Sequence, residues 1–297
     1  MTRGTRAVAT IAVLAAVFAA SAPASGNGFR NAGITFMCPR SPAVCVVKPD
    51  GSGRSVFVMA WYDGSGDPSW SRDGEALAYW VAYSDTRKIH VFWPRTHGST
   101  ELDCGNSRAS QPSWSPDARS IAVRQDWGSF GADNPEATIK ILSVATSTCA
   151  AVTTPKRRSV DSQPAWSPDG TTIAFVRQRF GGRPMIYLVR PDGSGLRPLT
   201  RGSSPSWSPD GTSIAFTLAD GVYLMRADGR GRRRILGGLR HPVVRWSPDG
   251  QKLLFTSLRC GQDGCRARVW TTGVDGRDRR LVLRRAWFGE VSWRPGA

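Results

Sequence analysis

Histidine is nearly absent from this chain of 297 residues. His90, His97 and His241 are the full set, far apart and without an i, i+4 pair, which excludes a metal site of the His-Glu-x-x-His kind. No Cys-x-x-Cys occurs, which argues against a metal site built from four of the six cysteines. The Gly-x-Ser-x-Gly turn that exposes a hydrolase nucleophile is missing as well. Lysine is rare, at five of the 40 basic residues, the remainder being Arg. Acidic residues number only 23, leaving a formal charge of +17. The longest apolar run, Ala7 to Ala20, falls short of the roughly 20 residues a spanning helix needs. Together these shortages exclude a membrane-spanning bundle, a coiled coil and a zinc-finger protein.

The chain is instead rich in Trp (12), Gly (32) and Pro (20), which suits many short strands joined by tight turns. With 40% hydrophobic and 21% charged residues it can bury a large core, as one large domain or two ordinary ones.

Residues 1–24 read as an export signal. Arg3 and Arg6 form the basic start, Ala7–Ala20 the apolar stretch, and Ala22-Pro23-Ala24 the small residues of a cleavage site before Ser25. The competing reading is a membrane anchor, for which the run is short. An exported chain permits disulfides. Cys38 and Cys45 flank a short Pro-containing loop and Cys260 and Cys265 flank Gly-Gln-Asp-Gly, so each pair is expected to bridge locally. Cys104 and Cys149 remain by elimination.

One phrase recurs along the chain: Pro68-Ser69-Trp70-Ser71-Arg72-Asp73-Gly74, then around Trp114, Trp166, Trp207 and Trp246, with a truncated copy at Trp293. The Trp-to-Trp steps are 44, 52, 41, 39 and 47 residues. In Ser-Pro-Asp-Gly, Pro presets φ, Asp suits the next turn position, and Gly accepts the positive φ that follows. A second strand follows each turn (Leu77-Ala78-Tyr79, Ile173-Ala174-Phe175), then a third (Ile186-Tyr187-Leu188-Val189), an Asp-Gly turn and a fourth. Four strands in about 45 residues make one propeller blade. The N-terminus supplies strands two to four from Ile34 onward, and the C-terminus a spare Trp strand. The expected fold is therefore all-β, a six-bladed β-propeller over residues 25–297. Its blades are four-stranded and antiparallel, and the C-terminal strand closes the ring by joining the N-terminal three. An open β-solenoid is the alternative, and the complementary ends argue against it.

The Trp-Ser-Pro-Asp-Gly…Ile-Ala-Phe…Ile-Tyr-Leu…Asp-Gly unit resembles the WD-repeat-like propeller repeat of the TolB family, from about Ile34 to Pro295. The resemblance implies a six-bladed propeller and a role in the cell envelope. TolB proteins also carry an N-terminal α/β domain, for which only about ten residues lie between the expected cleavage site and the first strand here. The same repeat resembles the propellers of prolyl-oligopeptidase-type peptidases. Two departures stand out: Arg72 replaces the turn Pro, and Ala118 replaces the turn Gly. Ala118 is expected to hold a positive φ at a cost of about 1 kcal/mol.

By analogy with WD-repeat proteins, the Asp-Gly turns share one face and the longer, variable loops share the other, where function concentrates. The variable face carries Arg124, Trp127, Phe130, Arg177, Arg179, Phe180 and Trp287, with both local disulfides pinning loops there. Arg and aromatic residues suit a binding surface, although each ring could instead fold back on its blade. A second basic focus is Arg230, Arg232, Arg233 and Arg234 with Arg277, Arg279 and Arg280 in the next blade and Arg54 beyond it. Such a ridge suits a polyanion: an anionic lipid surface or a wall polymer. A GC-rich codon bias explains the Arg excess equally well. Export and the lack of a nucleic-acid-binding motif argue against nucleic acid.

No catalytic set, metal site or cofactor is indicated. The Asp of each turn repeats around the ring as a structural residue does. The expected function is an exported, non-enzymatic module that binds a protein or peptide at the cell envelope or outside the cell. The alternatives are a propeller enzyme acting on a small molecule or glycan at the channel mouth, and a polyanion-binding wall protein.

Overall fold

The computed structural model describes residues 33–295 apart from 39–42, 60–63, 104, 106–107, 128–135, 157, 220, 262–263 and 287–290. The expected export signal, Phe130, Trp287 and Cys104 lie outside the described residues. Among the described residues all 24 regular elements are β-strands. Strands β1 (Ile34–Met37), β2 (Ala43–Val47) and β3 (Ser55–Met59) open the chain. They are followed by β4 (Gly64–Trp70), β5 (Leu77–Tyr83), β6 (Thr86–Trp93) and β7 (Gly98–Leu102). The pattern then repeats as β8 (Arg108–Trp114), β9 (Ser120–Trp127), β10 (Glu136–Ser143) and β11 (Cys149–Ala151). Next come β12 (Ser159–Trp166), β13 (Ile173–Arg179), β14 (Met185–Val189) and β15 (Arg197–Arg201). After β16 (Ser203–Trp207), β17 (Ser213–Leu218), β18 (Gly221–Arg226) and β19 (Arg233–Leu236) come β20 (Val244–Trp246), β21 (Lys252–Gly261), β22 (Gly264–Gly273) and β23 (Arg280–Ala286). The short β24 (Ser292–Trp293) ends the series.

Three four-stranded antiparallel sheets are separate: β24-β1-β2-β3, β16–β19 and β20–β23. The other twelve strands form one sheet rather than three. Single-pair parallel bridges, Arg87↔Arg108 and Ala137↔Val160, join the start of a third strand to the start of the next Trp-bearing strand. Within that sheet the antiparallel order of four is kept. No sheet closes on itself among the described residues. The Trp-bearing strands β4, β8, β12, β16, β20 and β24 nevertheless neighbour one another in that order, and β24 also touches β4. The expected pairing of the two chain ends is present as Ile34↔Trp293 and Thr35↔Ser292.

Proline in a strand interior survives only at an edge or a bulge, because it cannot donate to the ladder. Pro68, Pro112, Pro164 and Pro205 each follow a residue at positive φ: Asp67 (52°), Gln111 (54°), Gln163 (53°) and Ser204 (53°). The register shifts at each of these points. Each bulged side chain then accepts a backbone N–H from the neighbouring inner strand. Gln111 donates to Asp67 (3.2 Å), Gln163 to Gln111 (2.8 Å), Ser204 to Gln163 (2.8 Å) and Val244 to Ser204 (3.3 Å).

The Ser-Pro-Asp-Gly turns are cross-braced by their serines. The Ser167 hydroxyl donates to Asp169 (2.5 Å) and accepts the Thr172 N–H (3.0 Å). Ser71, Ser115, Ser208 and Ser247 do the same, and all five serines are buried. Between neighbouring sheets lie the cores. Ala174, Val176, Ile186 and Leu188 pack against Ile214, Phe216 and Met225, and the equivalent faces meet again at Ala215, Leu224, Leu253 and Phe255. Cys38 and Cys45 are bridged across the β1–β2 hairpin, with Cα atoms 5.2 Å apart. Cys260 stands directly opposite Cys265 in the β21–β22 register, and Cys260 and Cys149 are both in disulfides.

Two outcomes are expected. Ala118 holds φ 56°, where the other turns have glycine at 71–75°, so Ala118→Gly should raise the melting temperature by about 2–4 °C, from about 1 kcal/mol; calorimetry showing a decrease would remove the strain argument. The carboxyls of Asp117, Asp169 and Asp210 are held below the ordinary 3.8, first by their serine hydroxyls. A depressed native pKa stabilises above the unfolded value and is lost as pH falls through the native one. Urea midpoints should therefore hold from neutral pH down to about 5 and decline below about 4, less steeply in the Ser115→Ala/Ser167→Ala/Ser208→Ala variant.

Candidate binding surfaces

On the expected variable face the structure joins Phe180 to Arg158 of the preceding strand's loop. Phe180, at the end of β13, is 64% exposed although it is a large apolar ring. Its N–H donates to the Arg158 carbonyl at 2.9 Å, and the Arg158 guanidinium lies 4.9 Å from the ring centroid. Arg179, exposed, pairs across β12–β13 with Ser159 beside Arg158. An exposed ring stacked by a guanidinium is a ready anchor for a partner's apolar or acidic side chains.

Arg177 lies elsewhere in energetic terms. It stands opposite Asp161 in the β12–β13 register, and its Nε and Nη2 each donate to the fully buried carboxylate at 2.7 Å. The guanidinium is also close to the rings of Phe175 and Tyr187, at 5.4 and 5.2 Å. The Asp161 hydrogen bonds raise its pKa further. Arg177 therefore braces the hairpin that presents Phe180. Arg124 is likewise committed, donating Nε–H to Asp126 at 2.8 Å. Trp127 pairs with Glu136 at the end of β9, and its side chain, with Phe130 and Trp287, lies outside the description.

The basic ridge is assembled by close backbone approach. Gly276 in the second turn sits against the Ile235 carbonyl, and Gly51 in the third sits against the Val282 carbonyl; a Cβ at either would lie 2.7 Å from that oxygen. The turn segments carrying Arg230–Arg234, Arg277–Arg280 and Arg54 thus lie side by side. Arg230, Arg232, Arg233, Arg234, Arg277, Arg279 and Arg280 are all exposed. Arg279 stacks on Trp270 at 4.4 Å and Arg54 on Phe36 at 5.4 Å. Partial burial lowers the Arg279 pKa.

Two features escape a reading of the sequence. Tyr83, His90 and Glu101 come together on β5–β7: Tyr83 donates to Glu101 (2.8 Å) and meets His90 Nε2 (2.7 Å), while Lys88 pairs with Glu101 (2.5 Å). Burial lowers the His90 pKa, favouring neutral imidazole. The other feature is a cavity of about 440 Å³ inside the ring of inner strands, walled by Trp70, Trp114, Trp166, Trp207, Trp246 and Trp293. Among the described residues no group of three or more His, Cys, Asp or Glu could hold a metal ion.

Residues 44–204 match the TolB beta propeller domain family, which is more than half of the chain. The chain belongs to that family. A TolB from Acinetobacter baumannii superposes with a TM-score of 0.70 at 20% identity, over 89% of this chain and 66% of that one. One chain of a nidogen/laminin complex gives 0.70 at 10% identity, over 90% and 99%. An oligogalacturonate lyase in complex with manganese gives 0.51 at 16%, over 83% and 71%. These likenesses establish the fold alone. In sequence, 91 residues are 34% identical to the uncharacterized peptidase YuxL of Bacillus subtilis. This TolB-type chain spans about a seventh of that relative and just under two thirds of the Acinetobacter TolB.

The bidentate pair gives a direct test of the TolB-type scaffold beneath Phe180. Asp161→Ala should cost about 3–5 kcal/mol, because it strands a half-buried guanidinium without its counter-charge. A urea midpoint shift worth less than about 0.5 kcal/mol would mean that the pair is open to solvent.

Proposed function

We propose that this TolB-type propeller is an exported, non-enzymatic binding module that engages a protein or peptide at the cell envelope. The observation that carries the reading is the exposed Phe180 ring, stacked by Arg158 and preceded in the chain by the exposed Arg179. A large aromatic ring beside a guanidinium is the side-chain pairing that carries much of the energy at binding hot spots. Phe180 sits on a hairpin made rigid by Arg177 and Asp161, and rigid anchors lose little entropy on binding. We read the scaffold as six blades in a closed ring, supported by the cyclic order of the Trp-bearing strands and by the Ile34↔Trp293 pairing. Export is supported by the basic-then-apolar pattern of residues 1–24 and by the Cys38–Cys45 disulfide. Likeness to TolB and to a chain of the nidogen/laminin complex is in keeping with a propeller that meets other proteins.

The polyanion reading keeps one specific support, the side-by-side basic turns. A crosslinked pull-down with the mature chain from native envelope extracts, washed at physiological and then high salt, separates the two. A protein retained through the salt wash, lost with Phe180→Ala/Arg179→Ala and kept with Arg232→Ala/Arg279→Ala, is the expected result. Recovery of anionic polymer alone, lost in salt and dependent on the ridge arginines, would sink the protein-partner reading.

A further inference from the structure

The rim of the central cavity is made by the second residue after the Trp of each copy. Five are prolines (Pro116, Pro168, Pro209, Pro248 and Pro295), and the sixth is Arg72. Arg72 does not point outward. Its side chain crosses the mouth, donating Nη1–H to the Pro168 carbonyl at 2.8 Å and approaching the Pro209 carbonyl at 3.5 Å. Those acceptors belong to β12–β13 and β16–β17 turns, 96 and 137 residues away in the chain. Both are neutral, and no carboxylate among the described residues pairs with Arg72. Arg72 also borders a second, confluent groove of about 720 Å³ between β12–β15 and β16–β19, where Arg190 and Arg197 join it. The groove's two acids, Asp169 and Asp210, are already bonded to turn hydroxyls and backbone N–H groups.

We propose that Arg72 is the anchor of a ligand site at the cavity mouth, for a small molecule that carries an oxyanion, carboxylate or phosphate, beside an N–H or O–H donor. A guanidinium is always charged and offers a planar fork of donors that matches either oxyanion. Exchanging a neutral carbonyl for an oxyanion makes those hydrogen bonds charge-assisted and about twice as strong. The exchange frees the Pro168 and Pro209 carbonyls, which then accept the ligand's own donor. The tryptophan walls below take the apolar part of the ligand, and the site is small enough to exclude a folded domain. This surface is the turn face, away from Phe180, so the proposal stands independently of the protein-binding reading.

The same geometry supplies the test. Titrating the full chain with inorganic phosphate, and separately with citrate, at constant ionic strength should give a saturable change in tryptophan fluorescence, since six indoles line the cavity. Response to phosphate alone assigns a phosphorylated ligand, and response to citrate alone a carboxylate. Arg72→Pro installs the residue that the other rim positions carry. It therefore keeps the turn while removing the cation, and should weaken binding about tenfold or more. Arg72→Lys should retain part of the affinity, and Arg179→Ala all of it. A melting scan of Arg72→Pro without anion checks that it is folded. Silence toward both anions, equal affinity in folded Arg72→Pro, or loss of the response with Arg232→Ala/Arg279→Ala instead would each overturn the proposal.

Discussion

The structure hangs on a hydrogen-bond relay between successive inner strands. Each relay station is a residue at positive φ just before a proline, and its side chain accepts an N–H of the next inner strand. The bulge that would be a defect in an isolated strand turns a side-chain acceptor sideways, toward its neighbour. Packing of apolar faces between sheets is non-directional and leaves them free to slide. The relay fixes their height relative to one another, and with it the positions of every turn and loop above and below.

Indoles reinforce the same circle. Trp114 donates to the Ser69 carbonyl and Trp207 to the Ala165 carbonyl, each one inner strand back, while Trp70 reaches Thr35. Strand position, bulge and indole therefore act on one ring of residues. The outer strands, by contrast, are held by ordinary antiparallel ladders and tolerate the bulges at Ile186/Tyr187 and Val222/Tyr223.

Much of this was legible in the sequence, because the repeat is local. Trp, Pro, Asp and Gly announce a strand and its turn, and Ala118 announced its positive φ by standing in a glycine's place. The serine of the turn was equally visible, but its double role depends on a contact five residues on and so shows no pattern. The relay was hidden because its members, Asp67, Gln111, Gln163 and Ser204, share a backbone shape and not a side-chain type. At the candidate surfaces, composition located the arginines and could not sort them. Arg177 and Arg179 are two residues apart on one strand. Only the register with β12 tells that Arg177 meets a buried carboxylate while Arg179 meets solvent. Arg72 stood out as a departure, yet its reach across the mouth follows from curvature that no local pattern encodes.

The pairing of β24 with β1 rests on two residue pairs and joins positions 257 residues apart, as the Thr35–Ser292 hydrogen bond marks. The first sheet therefore lacks its inner strand until β24 has been made. Contacts of such long range form late and slowly. Until then a nascent chain has an open sheet edge and an unfilled first core, with Ile34 and Phe36 awaiting Trp293. The two residues of β24 act as the fastening that joins the first sheet to the inner strands on either side.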